Sequence, residues 1–178
     1  MSDTCSTITE HNKPHHVTCV VHELLPVFSQ PEVVRIVFDC WRHLRERCGM
    51  RLYGYVIMEE HLHFLAQAER LDICLGGFRE QTAGRIVKYL EEQRLERFLK
   101  RFPTVEGGRK YCFWQEPWET ESISGSAMMC KTLDYIHVNP IKRGYVDRAE
   151  QWRYSSARNY AGESGVFGID RWEDEADV

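Results

Sequence analysis

Two histidines separated by one apolar residue, His61 and His63, are the side chains of this sequence best suited to metal chemistry. They lie in a run of apolar residues that predicts a β-strand. Alternate side chains of a strand share a face, so both imidazoles would project together while Leu62 points into the core. Two imidazoles on one rigid strand form half of a divalent-metal site. An isolated pair of this kind is more often a polar strand face at a sheet edge.

A second stretch, residues 133–140, offers partners for the histidine pair. Tyr135 and Asn139 are four residues apart and would share one face of a helix. A phenol is a nucleophile and an amide oxygen is a metal ligand, so both could approach the histidines from above. Asparagine at a helix end is also a common structural cap. Pro140 disfavours helical geometry at Asn139, and the helix is therefore predicted to end there.

In their order and spacing these residues resemble the single-tyrosine HUH transposases (HUH means His-hydrophobic-His), in particular the branch associated with repetitive extragenic palindromes, or REPs. The resemblance spans roughly residues 15–160. The matching segments are 53–58, His61-Leu62-His63, 113–115, 134–144 and 152–156. One departure precedes the histidines, where many members of the family carry Pro-Asn or Pro-Glu and this sequence carries Glu59-Glu60.

The resemblance implies an α+β fold, with helices packed on a ferredoxin-like, RRM-like antiparallel sheet and the histidines on a central strand. It implies a transposase that acts on single-stranded DNA next to hairpins. Tyr135 would attack phosphorus and form a 5′-phosphotyrosine with a free 3′-OH, which lets strands be rejoined without ATP. His61, His63 and Asn139 would bind magnesium or manganese, which acts as a Lewis acid on the phosphate.

The order of the predicted elements independently favours helices packed on an antiparallel sheet. The predicted strands are 15–22, 51–58, 61–68 and an aromatic strand that begins at 111–114. The predicted helices are 31–48, 79–102 after a break at Gly76-Gly77, and a helix from Ser124 or Ser126 to Asn139. His16 and His22 are interpreted as polar strand residues, because nothing downstream is expected to pair with them.

A chain of 178 residues is long enough for one domain with a full hydrophobic core. That domain is predicted over residues 15–160, between a flexible leader (1–14) and an acidic C-terminal tail (161–178). No run of 18 apolar residues and no apolar secretion segment occurs, so a cytoplasmic protein without a membrane span is expected. The seven cysteines show no metal-binding spacing and are interpreted as reduced thiols.

The net charge of −4 does not by itself indicate a nucleic-acid-binding protein. Residues 170–178 account for all of it, so the rest of the chain sums to zero. A local basic groove is compatible with this balance, because the local field steers a phosphate ligand. Its predicted contributors are Arg109, Lys110, Lys142 and Arg143. The expected partner is single-stranded DNA with a hairpin, such as a REP-like palindrome, bound by a monomer or a homodimer.

Two other functions are compatible with the sequence. A non-catalytic module that binds structured nucleic acid is one, although it would not need the complete set of histidines, tyrosine and asparagine. A His-metal hydrolase unrelated to DNA is the other. It would need an acidic base, for which Glu59 and Glu60 are the local candidates, with Glu59 predicted on the His61 face. His137 lies roughly 200° around the helix from Tyr135 and is predicted to be structural.

Overall fold

The computed structural model describes residues 8, 10, 12–103 and 111–172. The strands are β1 (His15–Val20), β2 (Arg51–Ile57), β3 (His61–Gln67) and β4 (Glu119–Ser122). The helices are α1 (Pro31–Cys48), α2 (Leu71–Glu92), α3 (Glu96–Leu99), α4 (Gly125–Lys142) and α5 (Ala157–Tyr160). Short 3-10 turns occupy His22–Leu24, Val27–Ser29 and Ala149–Gln151.

The strands form one antiparallel sheet in the order β2-β3-β1-β4, so β3, which carries the histidines, is a central strand. Its register with β1 places Thr18 opposite His63 and Val20 opposite His61. This strand order, with α1 connecting β1 to β2 and α2 following β3, is the ferredoxin-like arrangement. The predicted α+β fold class is therefore confirmed.

Side-chain alternation divides the core into two layers on opposite faces of the sheet. Val17, Cys19, Leu62 and Phe64 pack with α1 and α2 in the larger layer. The smaller layer joins the other face of the sheet to α4 and contains Leu65, next but one to His63 along β3. Since β3 alternates, His61 and His63 lie on the α4 face, as Leu65 does.

Helix α4 lies very close to β2, and Gly54 makes this approach possible. A Cβ atom on Gly54 would stand 2.4 Å from Leu133 Cδ2, far inside contact distance. On its other edge β2 is covered by the segment after α4, because Ile57 N–H donates to the Tyr154 carbonyl and Ser156 N–H donates to the Tyr55 carbonyl. Helix α4, the tyrosine helix that carries Tyr135, is thereby held over the sheet both by its own packing and by the segment that follows it.

The predicted chain break at Gly76-Gly77 is wrong, because both glycines lie inside α2. Buried residues on either side of the pair, Leu75 and Phe78 among them, continue one apolar face of the helix. Packing of that face outweighs the roughly 1 kcal/mol that each glycine costs a helix interior. The helix ends at Glu92 rather than continuing to residue 102.

The predicted end of the tyrosine helix at Asn139 is also wrong, because α4 continues through Pro140 to Lys142. Proline costs a helix one backbone hydrogen bond, and Pro140 is buried, so the packing of its ring offsets that loss. The chain then leaves the helix through Gly144, whose φ of 72° is in the left-handed region that glycine tolerates. Asn139 therefore lies within the helix.

The aromatic segment near residue 113 does not form the fourth strand that was predicted for it. Trp114 makes one isolated bridge to Val21, and the fourth strand is the polar segment Glu119–Ser122. Phe113 and Trp114 are buried. The rings fill the core from a loop, and the edge strand needs few apolar side chains because much of it faces solvent.

Both predicted terminal segments contain residues that pack on the domain. Ile8 is buried in the core. Near the other end, Phe167 stacks on Phe38 at 5.2 Å, and Asp170 accepts hydrogen bonds from Arg45 and from Leu52 N–H. The last acidic residues, 173–178, lie outside the described part of the chain, as do residues 1–7, 9 and 11 of the predicted leader.

Within the described residues the cysteines form no disulfide. In the same part of the chain, no helix combines the length and apolar character needed to cross a bilayer.

Candidate functional site

His61 and His63 lie side by side on the α4 face of β3. Their ring centroids are 5.0 Å apart with the planes nearly perpendicular. Both side chains are largely buried, with 8% and 5% of their surface exposed. The i, i+2 spacing on a central strand thus brings the two imidazoles together on a rigid support.

A cleft of about 420 Å³ opens between the sheet and α4 beside this pair. Its floor includes His16, Thr18 and His63 from the two central strands, and α4 contributes Lys131 and Tyr135 to one side. The edge strand β4 contributes two carboxylates, Glu119 and Glu121, to the other side. The cleft therefore has a histidine floor, a basic and phenolic wall, and an acidic rim.

Tyr135 lies directly over the histidines of its own chain. Its ring centroid is 5.5 Å from that of His63 and 5.9 Å from that of His16, both in edge-to-face contact. The residue is 43% exposed, so the phenol borders the cleft without being enclosed. The Lys142 ammonium lies 5.2 Å from the ring centroid. A phosphate that entered the cleft would meet the phenol and an ammonium together.

Asn139 follows Tyr135 by one helical turn and is tied to it. Its Nδ2 donates a hydrogen bond of 2.9 Å to the Tyr135 carbonyl. This bond uses the amide nitrogen, and the Oδ1 atom is the one that would bind a metal. The ligand role of Asn139 stays a prediction.

His16 belongs to this cluster, and the expectation that nothing pairs with it is wrong. Its Nε2 lies 3.2 Å from His63 Nδ1, and the two rings are 5.2 Å apart. Thr18 Oγ1, two residues along β1, lies 3.0 Å from the same His63 nitrogen. The alternation of His16 and Thr18 was visible in the sequence, but only the pairing of β1 with β3 shows that they face His63.

Burial keeps the imidazoles neutral. It lowers the pKa of His63 to about 3, and the repulsion that protonated His61 or His16 rings would exert lowers it further to a smaller extent. Burial also lowers the pKa of His61, although the Glu60 carboxylate opposes the shift. A metal ligand needs the lone pair of a neutral imidazole, so this pair fits a divalent cation. Within the described residues, no group of three or more His, Cys, Asp and Glu is placed to hold one, so an amide or substrate oxygen would have to complete the set.

The acidic turn before the histidines makes two separate contacts. Glu60, which is 7% exposed, has its Oε1 3.1 Å from His61 Nδ1 and accepts a 2.6 Å hydrogen bond from Arg143. Glu59 accepts a hydrogen bond from the Tyr145 hydroxyl instead. Glu60, rather than Glu59, is therefore the carboxylate in contact with His61.

The four residues predicted to form a basic groove have different positions. Lys142 borders Tyr135, whereas Arg143 is paired with Glu60. Arg109 and Lys110 lie outside the described residues. Lys131, one turn before Tyr135, is a cleft residue that sequence reasoning missed. The sequence did contain a signal for this position, because Lys131 and Tyr135 are four residues apart and so share one face of a helix.

With the geometry established, the sequence can be compared with known proteins. No family model matches it. A protein of Haemophilus influenzae with the provisional name REP-associated tyrosine transposase is 32% identical over 104 residues, which cover 56% of this chain and 54% of the relative. This chain thus spans about half the length of that curated relative.

A solved structure of a REP-associated tyrosine transposase bound to a REP hairpin matches with a TM-score of 0.65 and 14% identity, over 99% of this chain and 96% of that chain. The predicted similarity to the REP-associated tyrosine transposases is confirmed. A provisionally named transposase from Deinococcus radiodurans matches with a TM-score of 0.47 and 16% identity, over 76% of this chain and 95% of that one.

His137 lies on α4, two residues after Tyr135, and makes the stability of the protein depend on pH. Its Nε2 is 2.8 Å from Ser156 Oγ, and burial lowers its pKa to about 4 from 6.5. As pH falls below 6.5, the unfolded chain takes up this proton before the folded one. The free energy of unfolding should therefore fall by up to about 1.4 kcal/mol per pH unit from this group, until pH approaches 4.

Replacing His137 with Asn should make the loss of stability between pH 6.5 and 4 shallower, because one of the groups responsible is removed. Urea unfolding at a series of pH values measures the slope. His43→Asn, at an exposed position on α1, is the control and should keep the wild-type slope. A His137→Asn slope equal to that of wild type would contradict the assignment.

Proposed function

We propose that this chain is a DNA transposase that cleaves and rejoins single-stranded DNA next to a hairpin, with Tyr135 as nucleophile. The observation that carries the proposal is the position of Tyr135, an exposed phenol whose ring contacts His63 of the same chain. The name of the Haemophilus influenzae relative and the hairpin in the matched structure support the choice of substrate.

The proposed reaction is a transesterification, in which one phosphate ester is exchanged for another and no phosphate ester is hydrolysed. The Tyr135 oxygen forms a bond to phosphorus, and its proton passes to solvent. The bond from phosphorus to the 3′ oxygen breaks, and that oxygen takes up a proton and leaves as a 3′-OH. The DNA is then held through a 5′-phosphotyrosine. Attack by a 3′-OH on this phosphorus reverses the exchange and joins two strands.

His61, His63 and the Oδ1 atom of Asn139 would hold a magnesium or manganese ion in this proposal. Such an ion supplies Lewis-acid neutralisation of charge at the phosphate oxygens. The rest of the chemistry belongs to the chain: burial keeps the imidazoles neutral, and the contacts of Tyr135 with His16 and His63 fix the phenol over the cleft.

The charges around the cleft indicate a path for the strand. Lys131 and Lys142 lie on the tyrosine side, and Glu119 and Glu121 lie on the opposite rim. Phosphates are attracted to the first side and repelled from the second, so the DNA backbone would follow α4. Among the described residues, the predicted Lys142 and the additional Lys131 are thus better placed than Arg143 to contact the DNA backbone.

Exchanging Lys142 for Ala should weaken binding of a hairpin with a single-stranded flank and reduce its salt dependence. One lost phosphate contact on a single strand lowers the log–log slope by about 0.7. Fluorescence anisotropy over a series of salt concentrations measures both quantities. Lys88→Ala on α2, whose lysine pairs with Glu92 away from the cleft, should leave the slope unchanged. An unchanged slope in Lys142→Ala would contradict the proposed path.

The experiment that tests the function is a search for the covalent intermediate. The protein is incubated with manganese and end-labelled single-stranded DNA that contains a REP-like hairpin and its flanks, and the products are separated on a denaturing gel. A labelled band that migrates with the protein supports the transposase. Cleaved DNA without such a band would favour the His-metal hydrolase. Binding without cleavage would favour the non-catalytic module.

A further inference from the structure

Each histidine of the pair has its Nδ1 atom engaged by a neighbouring side chain. His61 Nδ1 lies 3.1 Å from Glu60 Oε1, and His63 Nδ1 lies 3.0 Å from Thr18 Oγ1. A neutral imidazole carries one N–H and one lone pair, and the partner of one nitrogen decides which nitrogen can bind a metal. Thr18 Oγ1 can donate or accept, so the tautomer can be assigned from the neighbouring group only for His61.

For His61 the direction of the hydrogen bond follows from the chemistry of Glu60. An ionised carboxylate only accepts hydrogen bonds, so His61 must donate through Nδ1–H. The Arg143 guanidinium, 2.6 Å from the same Oε1 atom, forms an ion pair with this largely buried carboxylate. The lone pair of His61 is then left on Nε2.

We propose that Glu60 is a positioning residue that holds His61 as its Nδ1–H tautomer, with Nε2 presented to the cation, and couples this orientation through Arg143 to the tyrosine helix. The metal-binding part rests on the proposed function. The tautomer is a property of the chain alone and can be observed without metal.

The coupling follows from where Arg143 lies. It comes directly after the last residue of α4, two turns beyond Tyr135, while Glu60 lies in the turn that leads into β3. One carboxylate oxygen thus contacts both the strand that carries the ligands and the end of the helix that carries the nucleophile. Loss of Glu60 would release the ring of His61 and the end of α4 together.

Glu59 provides a matched control, because it has the same charge and lies in the same turn. Its carboxylate accepts a hydrogen bond from Tyr145 on the segment after α4, whereas the carboxylate that contacts His61 is that of Glu60. If the turn needed only negative charge or a link to the segment after α4, Glu59→Ala and Glu60→Ala would have similar effects. If Glu60 acts on the imidazole, only Glu60→Ala changes the chemistry of His61.

The first test is the tautomer of His61 in the metal-free protein, read from long-range proton–nitrogen correlation spectra of ¹⁵N-labelled samples. Wild type and Glu59→Ala should show the Nδ1–H form, and Glu60→Ala should shift His61 toward the Nε2–H form. An Nε2–H form in wild type, or an unchanged tautomer in Glu60→Ala, would overturn the proposal. If Glu60→Ala fails to fold, the wild-type spectrum still shows whether His61 is the Nδ1–H tautomer.

The second test measures Mn²⁺ affinity by following free Mn²⁺ with electron paramagnetic resonance. Glu60→Ala should bind Mn²⁺ about 10–100-fold more weakly, the usual cost of losing a carboxylate that orients a histidine ligand. Glu59→Ala should match wild type. Equal affinity in wild type and Glu60→Ala overturns this inference alone. A wild-type protein that binds no Mn²⁺ overturns the metal part of the proposed function, and the tautomer result still stands.

Discussion

Tyr135→Phe is expected to abolish the covalent adduct between the protein and cleaved single-stranded DNA. The change removes one oxygen and keeps the ring, so its contacts with His16 and His63 persist. Because the residue is partly exposed at the cleft, little packing is lost. Removing a covalent nucleophile costs on the order of 10⁶-fold in rate, which places adduct formation below detection on a gel.

Tyr145→Phe is the matched control for this variant. Tyr145 is 42% exposed, almost the same as Tyr135, and lies just beyond the end of the same helix, where its hydroxyl contacts Glu59. It should form the adduct as wild type does. Hairpin binding should be equal in all three proteins, because positioning contacts and bond breaking are separable. An adduct in Tyr135→Phe would mean that another tyrosine is the nucleophile.

Local patterns were sufficient for much of the fold. The helix predicted at 31–48 is α1 (Pro31–Cys48), and the two strands around the acidic turn agree with β2 and β3 to within one residue at each end. The signals used were all local: the spacing of apolar residues in each segment, and for α1 also Pro31 at its start and Gly49 after its end. The same alternation predicted that His61 and His63 share a face.

The errors arose where distant parts of the chain decide the structure. His16 looked unpaired because its partner, His63, is 47 residues away in sequence and meets it only through strand pairing. Strand β4 lacks the apolar residues that mark a strand, because it lies at the sheet edge and carries glutamates toward the cleft. Pro140 lies inside α4 because tertiary packing outweighs a local preference. Sequence alone therefore predicted the paired histidines and the nucleophile candidate, and missed the third histidine and the acidic rim.

His63→Ala is expected to abolish DNA cleavage and Mn²⁺ binding while leaving hairpin binding intact. The variant removes one of the two imidazoles from the proposed ligand set and leaves the contacts of Glu60 with His61 and Arg143 in place. Lewis-acid stabilisation of a phosphate is worth several kcal/mol, so its loss should slow cleavage by about 10³-fold or more. Cleavage assays and Mn²⁺ titrations measure the two effects separately.

His43→Ala, at an exposed position on α1, controls for stray histidine binding of Mn²⁺ and should behave as wild type. His63→Ala also removes a buried ring, so its thermal unfolding must be compared with that of wild type. A folded His63→Ala protein that cleaves DNA at the wild-type rate would contradict the assignment. So would Mn²⁺ binding at full strength.

Mixing His63→Ala with Tyr135→Phe tests whether nucleophile and ligands act within one chain. Tyr135 contacts His63 of its own chain, so each variant lacks one half of a site that its neighbour cannot complete. The mixture should therefore form no adduct at any ratio of the two proteins. If a dimer instead paired the tyrosine of one subunit with the histidines of the other, mixed dimers would contain one intact site. Adduct formation would then reappear, linked to the His63→Ala chain, which still carries Tyr135.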